Sequence, residues 1–140
     1  DAFIDDTYIE HGGQKIEMYQ RLALVRTEEA LEELKNELTD RFGKPTRAVQ
    51  NLLKATHLRI RAQKDLVLSV SQKGIGLEFR WKDEASAPRT ELFEPVLRKR
   101  CKKLPGLTAT FMFDMTGIDD VLAYIEYILK AYEKQERMNG

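Results

Sequence analysis

Residue types that commonly build catalytic or metal sites are scarce in this chain of 140 residues. The single cysteine, Cys101, excludes an internal disulfide and a cysteine-based zinc site, and it fits a reducing cytosol. The two histidines, His11 and His57, stand in no metal-binding spacing. There is no recognisable signal peptide and no apolar run long enough to span a bilayer. A cytoplasmic chain without a disulfide or a metal is therefore expected.

Motifs for nucleotide binding and catalysis are also absent. Residues 73–76 match neither the GxxxxGK[ST] nor the GxGxxG phosphate-binding pattern, and they are predicted to form a hairpin turn. Cys101 lies among cations that could lower the pKa of its thiol, but no histidine or acid is clearly paired with it. We therefore expect no enzyme activity and no cofactor.

Charged side chains are abundant but balanced, with 23 basic and 23 acidic residues. A dedicated nucleic-acid binder usually has a clear basic excess, so nucleic acid is not the expected partner of the whole chain. The charge is unevenly distributed, because residues 1–40 carry eleven acids and four bases, a net −7, and residues 41–140 carry a net +7. This asymmetry fits either docking against a charged partner or attraction between two faces of one domain.

Apolar residues in the first half recur at the three- and four-residue steps of amphipathic helices. Residues 2–9 are predicted to be extended, and Gly12 and Gly13 to break the chain. Thr27 is expected to cap the second helix and Gly43 to end it. The predicted helices cover about residues 14–25, 28–42 and 46–64. The apolar positions at helical spacing in the first helix are Ile16, Tyr19, Leu22 and Ala23. The predicted buried positions of the other two helices are Leu31, Leu34, Leu38, Phe42, Val49, Leu52, Leu53 and Ile60.

The second half changes to the two-residue period of β-strands. Leu66, Leu68 and Val70 are predicted to share one face of a first strand. The predicted elements are strands over 66–71, 77–81 and 107–115, a short helix that begins near residue 92 and reaches residues 98–103, and a final helix from Ile118. The expected fold class is α+β, with N-terminal helices followed by a small antiparallel sheet and two further helices. We expect one domain over residues 1–140, excised from a longer protein.

An acidic row lies on the predicted second helix. Glu29, Glu33 and Glu37 follow at four-residue steps, and Asp40 extends the row by three. Like charges at this spacing repel by a few tenths of a kcal/mol per pair, and Arg41 is the only local compensation that the helix itself offers. The row is tolerable on any surface, and it is also what a docking face for arginine side chains would look like.

A basic run is the second candidate feature. It covers residues 98–103 and includes Arg98, Lys99, Arg100, Lys102 and Lys103. Such a run fits phosphate contacts, which would make the chain an accessory DNA-binding domain. However, no aromatic residues alternate with the cations as stacking platforms would require, so a solvated helix end is the other interpretation.

Several motifs of the first half resemble one known family. These are Tyr8-Ile9, Lys15-Ile16, Tyr19-Gln20-Arg21-Leu22-Ala23, Leu31-Glu32-Glu33-Leu34, Glu37-Leu38-Thr39-Asp40-Arg41-Phe42-Gly43, Asn51-Leu52-Leu53 and Leu58-Arg59-Ile60-Arg61-Ala62. Their order over residues 2–64 is similar to that in the C-terminal (TRCF) domain family of bacterial transcription-repair coupling factors. The chain departs from the family at Pro45, which comes one place early, and at Asp5, where proline is common.

The resemblance implies a function and a set of contacts. The parent proteins of this family are ATP-driven DNA translocases that bind stalled RNA polymerase and recruit nucleotide excision repair through UvrA. The domain is their regulatory tail, which packs on the parent's own UvrB-like module and hides the UvrA-binding surface until the protein is engaged. Acids of the family's ELxDRFG stretch face arginines of that module, which implies contacts by Glu37 and Asp40 here. Glu33 and Arg41 complete the expected partner-binding set.

Overall fold

The computed structural model describes the backbone of residues 2–139 and the side chains of residues 2–136. The chain divides into two compact units, of which the first comprises Asp1–Ile60 and Gly117–Leu122 and the second Arg61–Thr116 and Ala123–Gly140. The helices are α1 (Gly12–Leu24), α2 (Glu28–Phe42), α3 (Arg47–Lys64), α4 (Pro95–Arg100) and α5 (Ile118–Asn139), and Thr90–Leu92 form a 3₁₀ turn. The strands are β1 (Val67–Lys73), β2 (Gly76–Trp81), β3 (Cys101–Leu104) and β4 (Thr108–Met112). They form one antiparallel sheet in the order β1-β2-β4-β3.

This architecture confirms the predicted α+β class. Among the helices of residues 2–139, none combines the length and the apolar character needed to cross a bilayer.

Helix α2 follows its local sequence signals closely. The Thr27 hydroxyl accepts a hydrogen bond from the Ala30 amide at 3.1 Å, which caps the helix as predicted. Leu31, Leu34 and Leu38 are buried in the core of the first unit. Gly43 ends the helix with φ 86°, in the region that favours glycine.

The N-terminal segment and α1 differ from the prediction. Residues 6–8 form a turn, and the amides of Tyr8 and Ile9 both donate to the Asp5 carbonyl, so this segment is not extended. Gly12 and Gly13 begin α1 instead of preceding it. The face of α1 that is buried is centred on Met18, and Ile16 and Ala23 are exposed.

Tyr19, one of the apolar positions that indicate α1, is 40% exposed. Its hydroxyl accepts a hydrogen bond from the Ile4 amide at 2.7 Å. The spacing of apolar residues does not show that a tyrosine hydroxyl will form a hydrogen bond with the preceding segment and remain partly exposed.

The sheet of the second unit confirms the predicted hairpin and the aromatic face of β2. Leu77, Phe79 and Trp81 are buried on one side. Leu66, predicted to begin the first strand, precedes β1, and, contrary to the prediction, the exposed Leu68 does not share a face with the half-buried Val70. The register of β1 shifts between Val67, which pairs with Trp81, and Ser69, which pairs with Arg80. This bulge reverses the alternation of side chains, and no sequence period reports it.

Residues 98–103 also differ from the predicted helix end. Helix α4 stops at Arg100, and strand β3 begins directly at Cys101 and pairs with β4. Strand β3 is short and lies at the sheet edge, where lysine side chains are common because they discourage pairing with another chain. Four residues give too few alternations for the two-residue period to be visible in the sequence.

Candidate interaction surface

The acidic row of α2 does not have a uniform environment. Glu29, Glu33 and Asp40 are exposed, whereas Glu37 is half-buried. Leu34 and Leu38 hold the opposite side of the helix in the core. The row therefore has a fixed orientation, and the surroundings of each carboxylate determine what it can bind.

Glu37 is bound by two arginines within the first unit. Its Oε1 accepts a hydrogen bond from Nη2 of Arg21 at 2.8 Å, and its Oε2 accepts from Nη1 of Arg41 at 3.1 Å. A second bond, from Nη1 of Arg21 to Oε2, makes the Arg21 contact bidentate. The Arg21 guanidinium, with help from Arg41, lowers the pKa of Glu37 to about 2. Arg41, the local compensation that α2 offers, does reach Glu37, and Arg21 of α1 adds a second cation.

The two arginines belong to a four-residue charge network between α1 and α2. Glu17 lies 4.0 Å from Arg21 and 3.9 Å from Arg41, between the nearest charged atoms. The Arg41 guanidinium also lies over the Phe42 ring, 5.0 Å from its centroid. The four-residue step from Glu17 to Arg21 was the sequence signal for this network, but it gave no indication that α1 would face Glu37.

Glu33 and Asp40 have a different environment. In the part of the chain that the structure describes, neither carboxylate has an ion pair or a side-chain hydrogen bond. Glu33 borders an open groove of about 540 Å³ formed by the end of α1 and the start of α2. Leu24, 72% exposed, and Arg26 line the same groove. An incoming cation can therefore reach Glu33 and Asp40 without displacing an internal partner.

Hydrogen bonds from other segments fix the ends of α1 and α2. The Tyr8 hydroxyl lies 3.1 Å from the Leu38 carbonyl oxygen and 2.7 Å from that of Gly43, so it donates at the end of α2. The Arg59 guanidinium donates to the carbonyls of Leu22 at 2.9 Å and Val25 at 3.1 Å, at the end of α1. The candidate side chains thus project from a rigid pair of helices.

The basic run 98–103 is divided between a helix and a strand. Arg98, Lys99 and Arg100 occupy the last turn of α4. Lys102 and Lys103 follow each other on β3, where successive side chains point to opposite faces of the sheet. The fold therefore divides the run among different surfaces.

The residues considered for chemistry have different surroundings. Burial raises the pKa of the Cys101 thiol to about 11, so the neighbouring cations do not lower it. His57 lies on α3 with its Nε2 3.3 Å from Oε1 of Glu28. Among the residues that the structure describes, no group of three or more His, Cys, Asp or Glu side chains could hold a metal ion.

Comparisons with known proteins give a consistent result. The family model described as the TRCF domain matches residues 1–92. The transcription-repair-coupling factor of Bacillus subtilis is 37% identical over 87 residues, covering 62% of this chain and 7% of the relative. That of Escherichia coli is 34% identical over 87 residues, covering 61% of this chain and 8% of the relative. The chain thus spans less than a tenth of the length of these relatives.

A solved structure shares the fold of the whole chain. It is described as the C-terminal domain of transcription-repair coupling factor, and it covers 100% of this chain and 91% of its own length. The TM-score is 0.74 and the sequence identity is 21%. The similarity therefore extends beyond residue 92, into the part of the sheet and the final helix where sequence motifs are weak.

Proposed function

This chain belongs to the TRCF domain family, and from that premise we propose that residues 1–140 act as one non-catalytic regulatory domain of a larger DNA repair translocase. The domain docks on the UvrB-like module of the same protein and covers the surface that binds UvrA. It is thus an autoinhibitory element of transcription-coupled repair, and its indirect partners are UvrA and stalled RNA polymerase. The observation that carries this proposal is the pair of exposed carboxylates, Glu33 and Asp40, that have no partner among the described side chains.

The four candidate residues divide into two roles. Glu33 and Asp40 supply open negative charge for arginines of the docked module. Glu37 is occupied by Arg21 and Arg41, so its own contribution to the field outside the domain is largely offset. Its role is to hold the Arg41 guanidinium in a fixed position on α2, where the remaining N–H groups of Arg41 can donate to the docked module.

The docking of the domain on the UvrB-like module should be weak enough to be reversible. An exposed ion pair contributes about 0–1 kcal/mol, so two such pairs favour the closed state by about 1 kcal/mol and by no more than about 2 kcal/mol. Covalent attachment to the rest of the protein adds a high effective concentration, so weak contacts are sufficient for masking. Ionic strength should weaken the closed state, because exposed charges are screened by salt.

The test uses the longer protein to which this domain belongs. Replacing Glu33→Gln and Asp40→Asn together removes two charges without disturbing an internal pair, and we expect UvrA binding to increase about 5- to 30-fold. Titration of UvrA onto immobilised protein measures this change. UvrA affinity that is unchanged or reduced in the double variant overturns the assignment of these carboxylates.

A matched control removes the same charge elsewhere. Glu84 and Asp114 are exposed residues of the second unit, and Glu84→Gln with Asp114→Asn should leave UvrA binding unchanged. An equal increase in both double variants would attribute the effect to net charge instead of the α2 surface. Thermal melting of each variant confirms that the domain remains folded.

A further inference from the structure

One face of the four-stranded sheet is polar and open. Direct cross-strand pairs place Ser69, Arg80 and Thr108 in one row and Ser71, Glu78, Thr110 and Lys102 in the next. Paired residues in a sheet share a face, and successive residues alternate, so both rows lie on the same side. Lys73 belongs to the following row, opposite Gly76. We define the open sheet face by these residues: Ser69, Ser71, Lys73, Glu78, Arg80, Lys102, Thr108 and Thr110.

The opposite face carries the aromatic core. Phe79 and Phe111 are fully buried there, and Trp81 is 2% exposed. Leu104 and Met112 lie at the margins of the open sheet face, and Leu68, which is 57% exposed, lies at the bulge of the edge strand β1. The open face consequently has no aromatic side chain on which an unpaired base could stack.

The charge of the open sheet face is positive. Arg80 and Lys102 are both exposed, and within the described part of the chain neither has an ion pair. Glu78 is the one acid on the four strands, and its Oε1 lies 3.4 Å from Nζ of Lys73. The face therefore presents two free cations together with a single neutralised pair.

The open sheet face also carries serine and threonine hydroxyl groups. Thr108 and Thr110 lie on β4, between the strands that carry Arg80 and Lys102, and Ser69 and Ser71 lie on the edge strand β1 beside Arg80 and Glu78. Arginine, lysine, serine and threonine are the side chains that contact phosphate oxygens and sugars in protein–DNA complexes. A protein partner would instead be expected to bury apolar or aromatic anchors at the centre of the contact, and this face has none there.

We propose that the open sheet face binds the sugar–phosphate backbone of double-stranded DNA without sequence preference. Arg80 on β2 and Lys102 on β3 stand two strands apart, which corresponds to roughly 10 Å. This separation is comparable to the width of a duplex groove, so the two cations can contact phosphates on both strands. A single strand would gain most from base stacking, which this face cannot offer.

The inference goes beyond the linear basic run. Of the cations in residues 98–103, Lys102 belongs to the open sheet face, while Lys103 points to the other side of β3. Arg80, far away in sequence, supplies the second free cation. The inference is also independent of the proposed docking of α2, because it involves residues of the second unit only.

The experiment measures binding of the complete 140-residue chain to a labelled random-sequence duplex by fluorescence anisotropy over a range of salt concentrations. The face variant is Arg80→Gln with Lys102→Gln. Each lost phosphate contact should reduce the magnitude of the slope of log K against log[salt] by about 0.9, so the face variant should lose about 1.8. Failure of the unaltered chain to bind the duplex even at about 50 mM salt overturns the proposal.

The control variant is Lys99→Gln with Lys103→Gln, which removes the same charge from the same half of the chain but outside the open sheet face. It should keep the slope of the unaltered chain. Equal losses in both variants would mean that net charge alone attracts DNA, which refutes a specific face. Competition with polyglutamate distinguishes an acidic protein partner, because displacement of the duplex at equal concentration of charge would contradict the proposal.

Discussion

Asp65 should dominate the pH dependence of unfolding of this chain. Its carboxyl group lies at the end of α3 next to Glu133, and its Oδ2 is buried without a hydrogen-bond partner among the described residues. Arg61 binds Glu133, with 2.6 Å between Nη2 and Oε1, and lies 3.6 Å from Glu126. Burial, and then the hydrogen bond and negative charge of Glu133, raise the pKa of Asp65 from 3.8 to about 8, although Arg61 and Lys64 oppose this.

Proton linkage determines whether the free energy of unfolding rises or falls with pH. Between pH 4 and pH 8 the folded chain keeps a proton on Asp65 that the unfolded chain has released. Stability is therefore highest near the acidic end of this range and falls as the pH rises. A pKa change of this size corresponds to several kcal/mol for a fully buried group. Because the side chain is only half-buried, solvent screening reduces the effect, and we expect a loss of about 2 kcal/mol from pH 5 to pH 8.

The substitution Asp65→Asn tests this reasoning. The amide has nearly the same shape and can still donate to Glu133, but it does not titrate. Urea unfolding can be followed by the fluorescence of Trp81, the single tryptophan, which is buried in the same unit. The variant should lose about 2 kcal/mol less than the unaltered chain over this pH range.

Two outcomes decide the matter. If the free energy of unfolding of Asp65→Asn changes with pH in parallel with that of the unaltered chain, Asp65 is not the proton-binding group and the reasoning is wrong. Asp114→Asn, at an exposed position, is the matched control and should retain the full pH dependence. The two histidines are present in all three proteins, so the comparison cancels their titration.

Two further predictions concern α2, which carries the docking surface. Leu38→Ala removes a side chain that is 1% exposed and should lower the free energy of unfolding by about 3 kcal/mol, measured by urea denaturation; a loss below about 1 kcal/mol would contradict this packing. Gly43→Ala should cost about 1–2 kcal/mol through backbone strain alone, because φ is 86° and no atom lies within 4 Å of the added carbon. Gly12→Ala, in the helical region with equal space, is its control and should not destabilise.

The elements that the sequence predicted well are those whose signals are local. Helix α2 begins after Thr27 and ends before Gly43, and both ends depend on contacts within a few residues. The apolar spacing of Leu31, Leu34 and Leu38 identifies the buried side of that helix. The family resemblance of residues 2–64 was likewise readable from short motifs, and the family match is now confirmed over residues 1–92. The partner-binding role of the acidic row stays a prediction.

The errors share a physical cause. The apolar period predicts helix α1 and strand β1, but the Tyr19 hydroxyl binds the Ile4 amide, and the bulge between Val67 and Ser69 reverses which side chains of β1 share a face. Strand β3 was not predicted, because it is a strand through its pairing with β4 and its own composition gives no such signal. In each case the deciding contact comes from a segment that a window on the sequence does not include.

By itself, the sequence determined the α+β class, the acidic row on α2 and the aromatic face of β2, since these depend on neighbours three, four or two positions apart. Only the tertiary structure decided which charges are free. It placed Arg21 on Glu37, sixteen residues away, and left Glu33 and Asp40 open. It also brought Arg80 and Lys102 to one face of the sheet through strand register. The availability of a charge depends on distances between elements, which packing sets and local periodicity does not encode.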